Sequence, residues 1–174
     1  MLFRSVSQSR YRTFGLDGLW SLGVYEGALR KAIVKLKYKW VSEVARDLVD
    51  ITVEYWAKNS PILLEEIKKN KQSLRSKDLG GQFWIVSSVP LHPRRQNFRG
   101  FNQSELLGKM FASKLGLPYQ VILKRVRNTT PQMKLLSHQR KQNIKNAFSF
   151  QSSAVSFQQD AKILLIDDVW PNVS

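Results

Sequence analysis

Two amphipathic helices are predicted near the start of the chain. In residues 25–40 the apolar side chains recur every three or four positions and lysines occupy positions between them, which places the apolar side chains on one helical face. Residues 42–58 repeat this pattern, and Pro61 is expected to end the second helix. Residues 65–82 are polar and contain two adjacent glycines near their end. We therefore expect a mobile connection there rather than a packed element.

A buried strand and a capped helix are predicted in the middle of the chain. Residues 83–91 form a short apolar run rich in β-branched side chains, which is typical of a strand buried on both faces. The segment HPRRQNFRGF, residues 92–101, is expected to be a loop. Asn102 stands where an N-cap residue is expected, and Glu105 follows it in the position of a capping box. Gly116 is expected to end this helix.

The rest of the pattern alternates strands with helices and favours an α/β fold. The further predicted elements are a strand at 120–124, a short helix at about 137–146, a strand at 148–150 and a last strand at 162–167. Such alternation predicts a parallel sheet flanked by helices. With 174 residues the chain has the length of one domain. We expect an N-terminal helical portion with its connection at 1–82 and an α/β core at 83–174.

Composition excludes several classes of protein. Hydrophobic residues make up 43% of the chain, which is enough for a core and unlike a disordered tail. No uncharged apolar run is long enough to span a membrane, and the N-terminus lacks the apolar run of a secretory signal. The absence of cysteine excludes disulfides, Cys-ligated zinc and thiol nucleophiles. We expect a cytoplasmic protein that does not insert into membranes.

The charge is strongly positive and unevenly distributed. Lys and Arg number 28 against 13 Asp and Glu, for a formal net charge of +15. Such an excess indicates a polyanionic partner, which could be nucleic acid, an acidic membrane surface or a phosphorylated small molecule. Residues 79–159 contain twelve Lys or Arg and one acidic residue, Glu105. Because two adjacent aspartates then follow the last predicted strand, the arrangement suggests anion-binding loops that face one acidic site.

Asp167 and Asp168, here called the acid pair, form the first candidate site. They stand at the carboxyl end of a predicted parallel strand, which is where α/β sheets place ligands. Two adjacent carboxylates can accept hydrogen bonds from vicinal sugar hydroxyls, or can hold a hydrated divalent cation through its waters. The alternative is an acid pair that only caps a following helix.

Two basic segments are further candidates. The segment after the first buried strand contains His92, Arg94, Arg95 and Arg99, and arginine forks suit phosphate oxygens. Residues 127–143 are polar and basic, a composition that fits a flexible flap closing over an anionic substrate. For both segments the alternative is an ordinary solvated surface.

Several common catalytic signatures are missing. Neither histidine has an Asp, Glu or His partner at metal-ligand spacing. The sequence has no phosphate-binding P-loop, no dinucleotide-binding glycine fingerprint and no nucleophile elbow. These absences count against an ATPase, a dinucleotide oxidoreductase and a serine hydrolase.

The order of these motifs resembles that of the ComF/GntX-like phosphoribosyltransferases. The likeness covers about residues 16–169, and it is carried by VPLHPRR, FRGFNQ, TTPQ with the later Arg and Asn, and ILLIDDV. The resemblance implies a type I phosphoribosyltransferase fold that binds phosphoribosyl pyrophosphate with Mg²⁺. It also implies a reaction at the anomeric carbon of ribose with pyrophosphate leaving. The family has been tied to DNA uptake in competent bacteria and to nucleotide or cofactor salvage.

The resemblance also implies roles for individual residues. The acid pair would be catalytic and would hydrogen-bond the ribose hydroxyls. The wider phosphoribosyl pyrophosphate site would comprise Asp167, Asp168, Val169 and Trp170. The pyrophosphate loop would comprise Leu91, His92, Pro93, Arg94 and Arg95. Candidates for the flap or for substrate contact are Arg99, Asn102, Gln103, Gln132, Arg140 and Asn143. No side chain is implied as a direct metal ligand.

The chain departs from the family pattern at both ends. The family follows its DDV with a T-T-G-x-T loop whose backbone N–H groups hold the 5-phosphate, whereas this sequence reads DDVWPNVS. Family members also often begin with a cysteine-rich zinc-binding segment. Either the chain is truncated or altered at both ends, or it has lost phosphate binding. We expect a truncated chain that lacks the family's C-terminal helix and strand, and the missing phosphate loop would make it inactive in this form.

A non-enzymatic alternative rests on the charge alone. The basic excess in residues 79–159 would suit a single-stranded DNA-binding accessory of competence and DNA uptake. Such binding weakens steeply as the salt concentration rises. Both interpretations stay open here, because a phosphoribosyl site and a basic face need not overlap. A third alternative is a degenerate binding protein that keeps only the fold.

Overall fold

The described residues form a mixed α/β fold of six helices and four strands. The structure is a computed structural model and describes residues 16–38, 42–76, 83–129, 137–151 and 161–169. The chain divides into two compact units, residues 1–61 and residues 62–174. None of the helices in the described ranges is long and apolar enough to cross a membrane.

The first unit contains the two predicted amphipathic helices. Helix α1 spans Gly27–Tyr38 and helix α2 spans Ser42–Asn59, and the two helices pack against each other. Their buried residues repeat at helical spacing: Ile33 and Leu36 on α1, and Ala45, Val49, Thr52 and Trp56 on α2. The sequence prediction for this region is confirmed, because each helix buries the face that its periodicity marks.

The predicted mobile connection was wrong over most of its length. Helix α3 spans Pro61–Ser76, so Pro61 separates α2 from α3 and occupies the first helical position, where its missing N–H costs nothing. Leu63 and Ile67, one turn apart, are buried. The remaining residues are mainly good helix formers such as Glu, Lys and Gln. The segment is therefore a packed helix at least in its first two turns, although its polar composition predicts a connection.

A small parallel sheet lies at the centre of the second unit. Strand β1 spans Phe83–Ser88 and strand β4 spans Ala161–Ile166, and they pair in parallel with Ser88 beside Ile166. On the other edge of β1, residues 118–120 run parallel to it: the Val86 N–H donates to the Pro118 carbonyl and the Gln120 N–H to the Val86 carbonyl, each at 2.9 Å. Strand β1 is therefore bonded along both edges, which explains its nearly continuous burial.

The basic segment predicted as a loop contains a helix. Helix α4 spans Pro93–Arg99. His92 caps its start, because its Nδ1 accepts from the Arg94 N–H at 3.3 Å. Gly100 ends it in the left-handed conformation, with φ of 79°. The loop prediction was wrong because a helix of two turns without an apolar stripe is visible only through its caps.

Helix α5 spans Gln103–Leu115 and is the helix predicted after Asn102. The Asn102 side chain accepts from the Ser104 N–H at 3.1 Å, as expected of an N-cap residue. Glu105 instead pairs with Lys109, at 2.7 Å between Oε1 and Nζ, which is the ordinary i, i+4 pairing of a helix surface. Gly116 ends the helix in the left-handed conformation.

The remaining strands form a small antiparallel ribbon. Strand β2 spans Leu123–Arg125 and strand β3 spans Phe148–Phe150, and the two pair antiparallel. Helix α6, Ser137–Ile144, lies between them in the chain. The segment predicted as one strand at 120–124 thus has two pairing partners. Residues up to Gln120 are hydrogen-bonded to β1, whereas β2 is paired with β3. This switch of partners depends on tertiary contacts that periodicity does not report.

Candidate functional site

The acid pair follows directly after β4, at the carboxyl end of the parallel sheet. Asp167 is exposed and Asp168 is half-buried. The backbone N–H of Asp168 donates to Asp167 Oδ1 at 2.9 Å. The acid pair is therefore accessible and lies where ligands bind in open α/β sheets.

The first turn of α5 holds both carboxylates. The Ser104 hydroxyl donates to Asp167 Oδ1 at 2.9 Å, and Gln103 Nε2 donates to Asp168 Oδ2 at 3.4 Å. Both donors are almost fully buried, at 2% and 3% exposure. The N-terminus of a helix also carries a partial positive charge, which attracts the two carboxylates. Sequence analysis missed Ser104, and no local signal marks it.

The residues between α4 and α5 connect this turn to the rest of the sheet. Asn102 Nδ2 donates to the Val89 carbonyl at 3.1 Å, which ties the loop after β1 to the start of α5. Arg99 Nη1 donates to Gln103 Oε1 at 3.3 Å. Arg99, Asn102 and Gln103 were predicted at the flap or at the substrate. The structure places them at this junction, with Gln103 touching the acid pair itself.

Arg95 and Arg125, here called the arginine pair, meet at Thr129. An Arg95 amino group donates to the Thr129 carbonyl and an Arg125 amino group donates to the Thr129 hydroxyl. Burial, and then the charge of Arg99, lower the pKa of Arg95. Burial and then the charge of Arg95 lower the pKa of Arg125, while Asp167 raises it. Guanidinium groups stay protonated in proteins, so the site contains two cations, and the pKa of Arg125 responds to the charges of both Arg95 and Asp167.

The other residues of the predicted pyrophosphate loop have different surroundings. His92 caps α4, and Arg94 is exposed one residue into that helix.

Leu91 and Pro93 line a cleft of about 180 Å³ that also reaches Arg125. At one wall of this cleft the Ser88 and Tyr119 hydroxyls are 2.7 Å apart. Its lining is therefore partly apolar, with polar groups at one side.

Some predicted site residues are not described by the structure. Gln132 and Trp170 lie outside the described residues, and Arg140 is located only as a position in α6. Asn143 is half-buried in the same helix, and Val169 is half-buried next to the acid pair. Within the described ranges no three His, Cys, Asp or Glu side chains are grouped so that they could hold a metal ion.

Comparison with known proteins finds relatives named for competence and DNA use. The chain is 42% identical over 85 residues to Competence protein F of Haemophilus influenzae, covering 48% of this chain and 37% of that protein. It is 32% identical over 152 residues to DNA utilization protein YhgH of Salmonella typhimurium, covering 86% of this chain and 58% of that protein. A protein of the same name from Salmonella typhi is 34% identical over 150 residues.

These relatives are longer than the chain, which spans less than two thirds of the length of each. No protein-family profile matches the chain, and no solved structure matches it. The finding is therefore a sequence similarity to proteins named for competence and DNA utilization, which extends over as much as 86% of this chain.

Proposed function

We propose that the chain binds phosphoribosyl pyrophosphate with Mg²⁺ at the carboxyl end of β4, as its resemblance to the ComF/GntX-like phosphoribosyltransferases implies. The observation that carries the proposal is the anchored acid pair. Two adjacent carboxylates, held by Ser104 and Gln103, present acceptor oxygens at the edge of a parallel sheet. We infer from the names of its relatives that this binding serves competence or DNA use.

The chemistry of the site suits the two ends of such a ligand. Carboxylate oxygens accept hydrogen bonds from the vicinal hydroxyls of a ribose, and charge-assisted bonds of this kind are strong. The arginine pair supplies donors and positive charge for phosphate oxygens. The charge of Asp167 raises the pKa of Arg125, which supports placing an arginine and an aspartate in one electrostatic environment.

The residues present also fit Mg²⁺ held mainly by the ligand. Mg²⁺ usually keeps several waters and binds through one or two carboxylates plus the phosphates of a substrate. The acid pair offers two carboxylates, and the described residues include no larger acidic cluster. When bound, Mg²⁺ would neutralise phosphate charge, while the protein's own residues orient the ribose.

Calorimetric titration with phosphoribosyl pyrophosphate and Mg²⁺ tests the proposal. We expect saturable binding by the wild-type chain. Asp167→Asn and Asp168→Asn should each weaken it more than tenfold, since a hydrogen bond to a charged group contributes about 1.5–3 kcal/mol. Asp17→Asn changes the charge equally at an exposed position of the other unit and serves as the control. Absence of binding by the wild type, or unchanged binding by both site variants, would refute the proposal.

A second candidate function is single-stranded DNA binding, which a specific feature of α4 favours. Phe98 is 88% exposed, and the exposed Arg94 precedes it by four residues, so both lie on one face of the helix. An exposed aromatic ring beside cations is a platform for stacking an unpaired base. The charge of residues 79–159, with twelve basic residues and one acidic residue, would attract the phosphates.

Fluorescence anisotropy with a labelled oligothymidine tests this second function. Phe98→Ala should lose about 1–3 kcal/mol of binding, as expected for one stacked base. Phe150→Ala, which removes a half-exposed ring from β3, is the matched control. Affinity should fall linearly on a logarithmic salt scale, with a slope of about −0.7 per neutralised phosphate. Salt-independent binding, or equal effects of the two variants, would argue against it.

A further inference from the structure

We propose that Arg99 is a positioning residue that acts through Gln103 to orient Asp168 in the acid pair. The three side chains form a chain of two hydrogen bonds. Arg99 Nη1 donates to Gln103 Oε1 at 3.3 Å, and Gln103 Nε2 donates to Asp168 Oδ2 at 3.4 Å. The effect on ligand affinity rests on the phosphoribosyl pyrophosphate site proposed above, whereas the orientation of Asp168 does not.

The polarity of the three groups allows one arrangement of the Gln103 amide. A guanidinium has donors and no acceptor, and an ionised carboxylate has acceptors and no donor. With Arg99 on one side and Asp168 on the other, the amide oxygen must face Arg99 and the amide nitrogen must face Asp168. The flipped amide would place oxygen against carboxylate and N–H against guanidinium. Arg99 therefore decides which end of Gln103 is offered to the acid pair.

Burial makes this chain of bonds difficult for water to replace. Gln103 is 3% exposed, so a lost partner is not readily substituted by solvent, and a buried unpaired polar group is costly. The turn at Gly100, which has a positive φ of 79°, returns the chain after α4 so that Arg99 lies beside the start of α5. Nothing lies within 4 Å of a Cβ added at Gly100, so the backbone conformation alone makes glycine suitable there.

Asp167 has separate support, so the effect of Arg99 should concern Asp168. Asp167 Oδ1 accepts from the Ser104 hydroxyl and from the Asp168 N–H, both at 2.9 Å. Neither bond involves Gln103. Loss of Arg99 should therefore leave these two bonds of Asp167 in place. Ser104→Ala should act on Asp167, and its effect should add to that of an Arg99 variant.

A double-mutant cycle separates this role from a general loss of positive charge. Arg99→Ala should weaken binding of phosphoribosyl pyrophosphate with Mg²⁺ about 10–100-fold, the usual effect of removing a group that orients a ligating residue. Arg99→Lys, which retains a donor and the charge, should recover part of the loss. In a Gln103→Ala background, Arg99→Ala should cause no further loss. Lys145→Ala removes an exposed cation and should weaken binding equally in both backgrounds.

Gln103→Glu provides a second test, because the glutamate side chain has nearly the same size as that of glutamine. It keeps an acceptor for Arg99 and removes the donor to Asp168, so it should weaken binding at least as much as Gln103→Ala. If Gln103 only filled space, Gln103→Met, which keeps a similar volume without adding charge, would bind as well as the wild type, and this result would overturn the proposal. Equal losses from Arg99→Ala with and without Gln103 would also overturn it.

A ligand-free measurement keeps this proposal distinct from the proposed function. The carboxyl carbon resonance of Asp168, observed by NMR, should move in Arg99→Ala and stay in place in Lys145→Ala. If the wild type bound no phosphoribosyl pyrophosphate but the resonance moved, the ligand assignment would fail and the positioning role would stand. If the resonance stayed in place in Arg99→Ala, the positioning role would fail whatever the ligand.

Discussion

Single residues determine how closely helix and sheet approach each other in the second unit. A Cβ added at Gly108 of α5 would lie 2.9 Å from Tyr119 Cε2 and 3.4 Å from Ser88 Cβ. The Tyr119 ring cannot easily move away, because its hydroxyl is bonded to the Ser88 hydroxyl at 2.7 Å. Glycine at this position therefore serves close packing rather than backbone freedom, and it brings α5 near the acid pair at the end of the sheet.

Gly108→Ala should destabilise the protein although alanine is the better helix former. Overpacking of a closed site costs about 1–3 kcal/mol, and the gain in helix propensity offsets only about 0.8–1.0 kcal/mol of this. Urea unfolding would measure the difference. In a Tyr119→Leu background, which removes the opposing ring, the same substitution should become neutral or stabilising. A stabilising effect in the wild-type background would contradict the packing argument.

Tyr119 should also make the free energy of unfolding decrease at alkaline pH. Burial raises the pKa of its phenol above the ordinary 10.0, and the bond to Ser88 opposes this in part. The unfolded chain therefore ionises first, so the stability contributed by the neutral phenol is complete below about pH 10 and is lost as pH rises through the folded-state pKa. Tyr119→Phe should flatten the decline in unfolding free energy above about pH 10, measured by urea titration across this range.

Part of that decline should remain in Tyr119→Phe because of Lys109. Its hydrogen bond to Glu105 raises the pKa of the Lys109 ammonium above the ordinary 10.5, so its contribution is also lost as pH rises. Identical pH profiles for the wild type and Tyr119→Phe would contradict the assignment to Tyr119.

At the scale of elements, local signals predicted some helices well and others not at all. Helix α5 was predictable because Asn102 and Gly116 mark its ends and its apolar stripe marks its buried face. Helix α4 was missed because it buries no residue and depends on its caps. Helix α3 was missed because its sequence is mostly polar, although Leu63 and Ile67 in its first two turns are buried. Periodicity predicts elements in proportion to how much apolar surface they bury.

Helix α3 should respond to core substitutions as a packed element does. Leu63→Ala or Ile67→Ala should each lower the free energy of unfolding by about 2–5 kcal/mol, as for other large-to-small changes in cores. Ile62→Ala is the matched control on the same helix, since Ile62 is 72% exposed, and should change it by less than about 0.5 kcal/mol. Chemical denaturation followed by circular dichroism compares the three. Equal, small effects would instead support the mobile connection predicted for residues 65–82.

For the molecule as a whole, charge should oppose folding and promote ligand binding. A net charge of +15 on 174 residues produces self-repulsion in the compact state. Surface ion pairs such as Lys109–Glu105 and Lys162–Glu66 are of a kind that contributes little. Mutual repulsion among the cations should therefore dominate the dependence of stability on salt.

Added salt should consequently act in opposite directions on stability and on anion binding. The free energy of unfolding should rise between low and physiological concentrations of potassium chloride, because screening weakens the repulsion. Affinity for an oligothymidine should fall over the same range. Parallel unfolding and anisotropy titrations would check both signs. Stability that falls with salt would show that attractive pairs outweigh the repulsion.

The sequence by itself determined the features whose causes are local: the amphipathic pair α1 and α2, the buried strand β1, the caps of α5, and an acid pair at a strand end. Tertiary structure alone decided which residues meet that acid pair. Ser104 and Gln103 are 63 and 65 positions from the aspartates they bind, and Arg95 is 34 positions from Thr129. A periodicity reports only which face of an element is buried. The bonds that orient the acid pair depend on how α5 crosses the sheet, which is set by close packing at Gly108 and Tyr119.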